Sequence, residues 1–213
     1  MHERTKRILL WVTVLAVVVT IVVQIPMTAT NEEHDFSTVF GRVSNLFLYF
    51  TIVSNILVAV VAGLLLRNPD RRSTWFSALS LATVVNIGIT GIIYWAVLAA
   101  DAENTGAGVF TNWMFHTIIP ILGVLVWVLC VPRGLVGLRA VLLSTTIPLA
   151  WLAMALIRGA IIDWYPYPFF DVPEVGYASA FISAAGVSAF FLVLASIAGW
   201  IDRRLGADTA TSG

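Results

Sequence analysis

Six apolar runs, each close to the length of a bilayer crossing, fill the chain: Ile8–Ile25, Ser44–Leu66, Trp75–Ala99, Trp113–Val131, Arg139–Ile162 and Ala178–Ile201. About 20 residues at 1.5 Å rise span the hydrocarbon core. No water is available there to satisfy backbone N–H and C=O groups, so runs of this length fold as helices. The expected fold is therefore all-α, an integral membrane bundle of six transmembrane helices, with residues 1–205 forming a single domain. With 59% hydrophobic and 11% charged residues among 213, the chain has no stretch left over for a separate soluble domain. Gly206–Gly213 is small and polar and is expected to be a disordered tail.

Basic residues orient the bundle. Arg4, Lys6, Arg7, Arg67, Arg71, Arg72, Arg133, Arg139, Arg203 and Arg204, ten of the twelve Lys and Arg, fall at the N-terminus, the even-numbered connections and the C-terminus. The positive-inside rule assigns that side, and both termini, to the cytoplasm of a cell-membrane protein. Only Arg42 and Arg158 lie opposite, among the acids Glu32, Glu33, Asp35, Asp101, Glu103, Asp163, Asp171 and Glu174. The net charge of zero gives no basis for a nucleic-acid partner.

The first run follows Arg4, Lys6 and Arg7 as a signal peptide would, yet its length exceeds an ordinary signal core and no small-residue cleavage site follows. A retained helix is expected. Cys130 is the single cysteine, so no internal disulfide forms. Pro120 and Pro148 interrupt the fourth and fifth runs and are expected to kink them and free backbone carbonyls. No repeat relates the first three runs to the last three, which weighs against an inverted-repeat transporter.

Polar residues inside the apolar runs carry the functional signal. Thr51, Ser54 and Asn55 share one face of the second helix at i, i+3 and i+4, with Ser44, Asn45 and Tyr49 at its outer end. Asn112, His116 and Pro120 are spaced by four on the fourth, Asn86 and Tyr94 belong to the third, and Arg158 ends the fifth. Counted along each helix, Thr51 lies about 10 Å below the outer boundary, and His116 and Arg158 about 6 Å. The three are expected to converge in an outer-leaflet pocket roofed by the aromatic stretch Trp164–Phe170. Ionisable groups at such depth mark functional sites by default. Taken singly, Thr51 reads as bonding its own helix, Arg158 as snorkelling to headgroups, and the aromatic stretch as an interfacial belt.

A hydroxyl becomes a nucleophile when an adjacent base removes its proton, and imidazole titrates in the right range. Thr51 and His116 are the candidate nucleophile and base. Asn55, Asn86, Arg158 and Tyr94 are candidates for the oxyanion or for binding substrate. No acid is placed to orient His116, so a dyad is expected. No cofactor and no metal is expected, and His2 and His34 lie outside the apolar runs, so two intramembrane haem ligands are lacking.

Tyr49-Phe50-Thr51, His116-Thr117-Ile118-Ile119-Pro120 and Tyr167-Pro168-Phe169, in that order, resemble the androgen-induced and androgen-dependent TFPI-regulating family of multi-pass membrane hydrolases and its prokaryotic six-helix relatives. Ser54-Asn55 and Arg158 look like the prokaryotic members. The resemblance implies hydrolysis of fatty acid esters of hydroxy fatty acids, with a membrane lipid or fatty-acyl ester as substrate and Thr51 and His116 as catalytic residues. The competing expectation is a non-enzymatic transporter, or a lipid-binding or sensory protein, in which His116 and Arg158 bind an anionic ligand.

Overall fold

In the computed structural model, which describes residues 2–32, 35–102 and 104–211, the chain is all-helical, with no strand among those residues. His34, Glu33, Glu103 and residues 212–213 of the expected tail lie outside the described residues. In chain order the elements are α1 (Glu3–Thr30), α2 (Val39–Leu46), α3 (Phe50–Arg67), α4 (Thr74–Ile93), a π-helical turn Tyr94–Leu98, α5 (Ala107–Trp113), a second π-helical turn Met114–Ile118, α6 (Ile119–Cys130), α7 (Leu138–Ser144), α8 (Thr146–Ile162) and α9 (Val172–Thr211). Taken as continuous helices, six of these stretches are long and apolar enough to cross a membrane: Glu3–Thr30, Phe50–Arg67, Thr74–Leu98, Ala107–Cys130, Leu138–Ile162 and Val172–Gly206. By length and composition this is a membrane protein.

Several boundaries depart from the sequence expectation. The second span does not begin at Ser44: Ser44 and Asn45 belong to the separate helix α2, and Tyr49, in extended conformation, precedes α3. Thr51 is therefore the second residue of its helix, and the depth counted from Ser44 does not apply. Pro26 lies inside α1 without ending it, and Arg42 of α2 donates to the Ala29 carbonyl at 3.1 Å near the end of α1. A cation there satisfies a terminal carbonyl and complements the helix dipole. The fifth span breaks at Thr145, which puts Pro148 in the first turn of α8, where a missing N–H costs nothing. The last helix breaks at Gly176 (φ 75°, ψ 158°) and then runs to Thr211, through the stretch expected to be disordered from 206.

The chain groups into two compact units, Met1–Arg71 with Asn86–Pro132, and Arg72–Val85 with Arg133–Gly213. In the first, α1 packs on α3, α2 and α6, and Val17, Leu46, Ile52, Val58, Ile87, Phe115 and Ile119 form the apolar core. The face that α1 buries is partly polar: Thr13 and Thr20 return their hydroxyls to the Leu9 and Ala16 carbonyls at 2.8 and 2.7 Å. Trp11, Leu15, Val18 and Val22 lie exposed on the same helix, as suits a lipid-facing surface.

In the second unit Ser77 donates to the Leu135 carbonyl at 2.9 Å, and Asp202 of α9 accepts the Val136 N–H at 2.9 Å. The aromatic stretch after α8 folds onto its own helix. Tyr165 lies against the Gly159 backbone, where a Cβ would collide with its ring, and Phe170 is buried 6.4 Å from Trp151. Those two rings are core, not belt.

Candidate functional site

Two π-helical turns frame the site. Each widens the backbone ladder by one residue, so the N–H of Ala99 reaches the Tyr94 carbonyl and that of Ile119 the Met114 carbonyl. In the second turn the cause is local. Pro120 has no N–H with which to close an α-type bond to the His116 carbonyl. Gly91 of α4 occupies the space beside that carbonyl: a Cβ there would stand 3.2 Å from the His116 oxygen and 3.4 Å from Pro120 Cβ. This close approach puts Tyr94, one turn further along, against His116, the rings stacked at 3.8 Å and 14°. On the next residues, Trp95 donates to the Thr117 hydroxyl at 3.0 Å.

His116 is half-buried and its ring orientation is fixed. Nδ1 lies 3.1 Å from the backbone oxygen of Asn112 and 3.0 Å from its side-chain oxygen. The backbone oxygen can only accept, so the neutral ring carries its proton on Nδ1 and leaves Nε2 as the lone-pair nitrogen. The partner that orients His116 is Asn112, an amide rather than an acid. Their i, i+4 spacing was the available sequence signal.

Asn55 connects the other half. It is 0% exposed, and its Nδ2 donates to the Thr51 carbonyl at 2.7 Å and to the Phe115 carbonyl at 3.3 Å. The first turn of α3 is thereby tied to the residue preceding His116. With both acceptors held, that amide is not a free donor for an oxyanion.

The remaining candidates fall as follows. Tyr94 presents its ring face to His116 and is only 7% exposed. Asn86 is fully buried in the first unit, its carbonyl accepting from Thr90 at 3.0 Å, and both its side-chain amide atoms lack a partner among the described residues. Arg158 belongs to the second unit, where its guanidinium lies 5.1 Å from the centre of the Trp164 ring. The first unit thus brings together Thr51, Asn55, Asn112, His116 and Tyr94. Among the described residues no three His, Cys, Asp or Glu side chains are grouped to hold a metal ion. Comparison of the chain with protein-family models, curated proteins and solved structures finds no match.

Proposed function

We propose that this is an intramembrane hydrolase of lipid esters, of the fatty acid ester of hydroxy fatty acid type, with Thr51 as nucleophile and His116 as base. One observation carries the reading: Asn55 ties the Thr51 turn to Phe115, while Asn112 holds Nδ1 of the adjacent His116 and leaves Nε2 to take a proton. The resemblance of Tyr49-Phe50-Thr51 and His116-Thr117-Ile118-Ile119-Pro120 to the androgen-induced family supports it. Its setting in this proposal is the cell membrane, with both termini in the cytoplasm.

The reaction needs two symmetric halves. Nε2 of His116 takes the Thr51 hydroxyl proton as Oγ adds to the ester carbonyl, and the tetrahedral intermediate collapses by breaking the bond to the alcohol oxygen. His116 returns the proton to that oxygen, releasing the alcohol and leaving an acyl ester on Thr51. Water, deprotonated by the same nitrogen, adds to the acyl carbonyl; the acid leaves and Thr51 regains its proton. The unpartnered amide of Asn86 is the candidate oxyanion donor.

Purified protein offered long-chain esters of hydroxy fatty acids is expected to release acid and alcohol in equal amounts. Removing a general base costs roughly 10²–10⁴-fold and removing the nucleophile forecloses the acyl-enzyme, so His116→Ala and Thr51→Ala, each with unchanged helicity and melting temperature, should be nearly inactive. An active Thr51→Ala eliminates the nucleophile, and saturable ester binding with no turnover favours a binding or sensory role.

A further inference from the structure

Four polar side chains of the first unit, Asn45, Ser54, Asn55 and Asn86, are each 0% exposed. Among the described residues, both amide atoms of Asn45 and Asn86, Ser54 Oγ and Asn55 Oδ1 have no hydrogen-bond partner. A buried polar atom left unsatisfied is costly, and native interiors rarely tolerate several together. Asn45 and Asn86 are next in sequence to the core residues Leu46 and Ile87, and Ser54 and Asn55 lie within one helical turn of Ile52. A polar interior of this kind calls for a polar occupant.

At Asn55 the geometry defines what that occupant must be. The nitrogen end of the amide faces two carbonyl oxygens, Thr51 O and Phe115 O. Carbonyl oxygens only accept, so the amide cannot be turned round, and its oxygen is the unsatisfied end. The missing partner is a hydrogen-bond donor. It is also neutral, because among the described residues no ionised side chain is buried in the first unit to offset a charge. Ser54, the preceding residue, adds an unpartnered hydroxyl at the same level of α3.

We infer that Asn55 Oδ1 is a buried binding site for a neutral hydroxyl group, which donates its hydrogen to that oxygen. The hydroxyl comes from water or from a lipid alcohol. The assignment stands on the amide geometry alone. Its consequence for turnover rests on the hydrolase reading: a hydroxyl held one amide group away from the Thr51 carbonyl is the deacylating water, or the alcohol released from the ester.

Magnetisation transfer into the Asn55 side-chain amide tests this on the full chain in lipid nanodiscs. The protein is labelled with ¹⁵N-asparagine, and the Asn55 signal is identified by its absence in Asn55→Gln. Transfer from water in the wild-type protein assigns the site to water. Transfer that appears only when 1-octanol is added assigns it to an alcohol hydroxyl. No transfer from either overturns the site, even in a protein that hydrolyses esters. Transfer with no esterase activity leaves the site standing and removes only the hydrolase.

Discussion

Replacing Asp202 by alanine is expected to lower the melting temperature by roughly 6–12 °C. The carboxylate is 1% exposed. Oδ2 accepts the Val136 N–H at 2.9 Å, and Oδ1 lies 3.7 Å from Arg133 Nη1. One side chain of α9 thus secures the segment between α6 and α7 at two points. Removing one partner of a buried pair costs about 3–5 kcal/mol, because the other charge stays behind. The Arg133 side chain retains 11% exposure, so water relieves part of the loss and the low end, about 3 kcal/mol, applies. At about 2–4 °C per kcal/mol for a chain of this size, the shift follows. Asp202→Asn keeps an oxygen for the Val136 N–H but loses the ion pair, so it should melt between the two. Tryptophan fluorescence on heating, in one detergent and at one protein concentration, gives the three temperatures. An alanine variant within about 2 °C of wild type refutes the reasoning, since that shift corresponds to a loss of about 1 kcal/mol or less.

Two further outcomes test the site. Asn112→Ala removes the side-chain oxygen from His116 Nδ1 but leaves the backbone oxygen, so ¹⁵N shifts should still report the Nδ1–H tautomer. Ester turnover should then fall far less than the roughly 10⁴-fold that follows a reversed tautomer; reversal would show that the side chain, not the carbonyl, orients the ring. Gly91→Ala puts a Cβ 3.2 Å from the His116 oxygen, which α4 must yield to by a few tenths of an ångström. Overpacking of this kind costs about 1–3 kcal/mol, and the Tyr94–His116 stack should loosen, seen as a changed ring-current shift on the imidazole protons. An unchanged shift would mean that Gly91 does not set the stack.

The spans were legible because lipid allows one economical backbone solution, and twenty apolar residues in a row leave little else. The break before α3 was not. Asn45-Leu46-Phe47-Leu48-Tyr49 is nearly as apolar as the helix that follows and contains neither glycine nor proline, so hydropathy runs straight across it. Reading α2 and α3 as one helix misplaced Thr51 in depth. Within the site, the residues were legible and their jobs were not. Thr51, Asn55, His116 and Tyr94 stand out as polar or aromatic groups in apolar runs. The acceptors that define Asn55 and His116, however, are the backbone carbonyls of Thr51, Phe115 and Asn112, and a carbonyl is present at every position of every sequence.

The π-helical turns explain why pattern reading stopped where it did. Apolar periodicity at 3.6 residues identifies a helical face but is blind to one widened turn, so Asn112 and His116 appear as simple neighbours on a stripe. In the folded chain the turn at Met114–Ile118 sends the Ile119 N–H to the Met114 carbonyl instead of to that of Phe115, and the Phe115 carbonyl accepts from Asn55. The Asn112 oxygen faces the imidazole Nδ1, and the His116 oxygen, left without a proline N–H, meets Gly91, one of the two glycines of α4. Pro120 and Gly91 therefore act as a pair, the first loosening the ladder and the second admitting α4 closely enough for Tyr94 to cover the ring. A histidine gripped through Nδ1 and covered on one face has a single nitrogen left to offer. The direction in which Nε2 is presented thus depends on Pro120 and Gly91 as well as on Asn112.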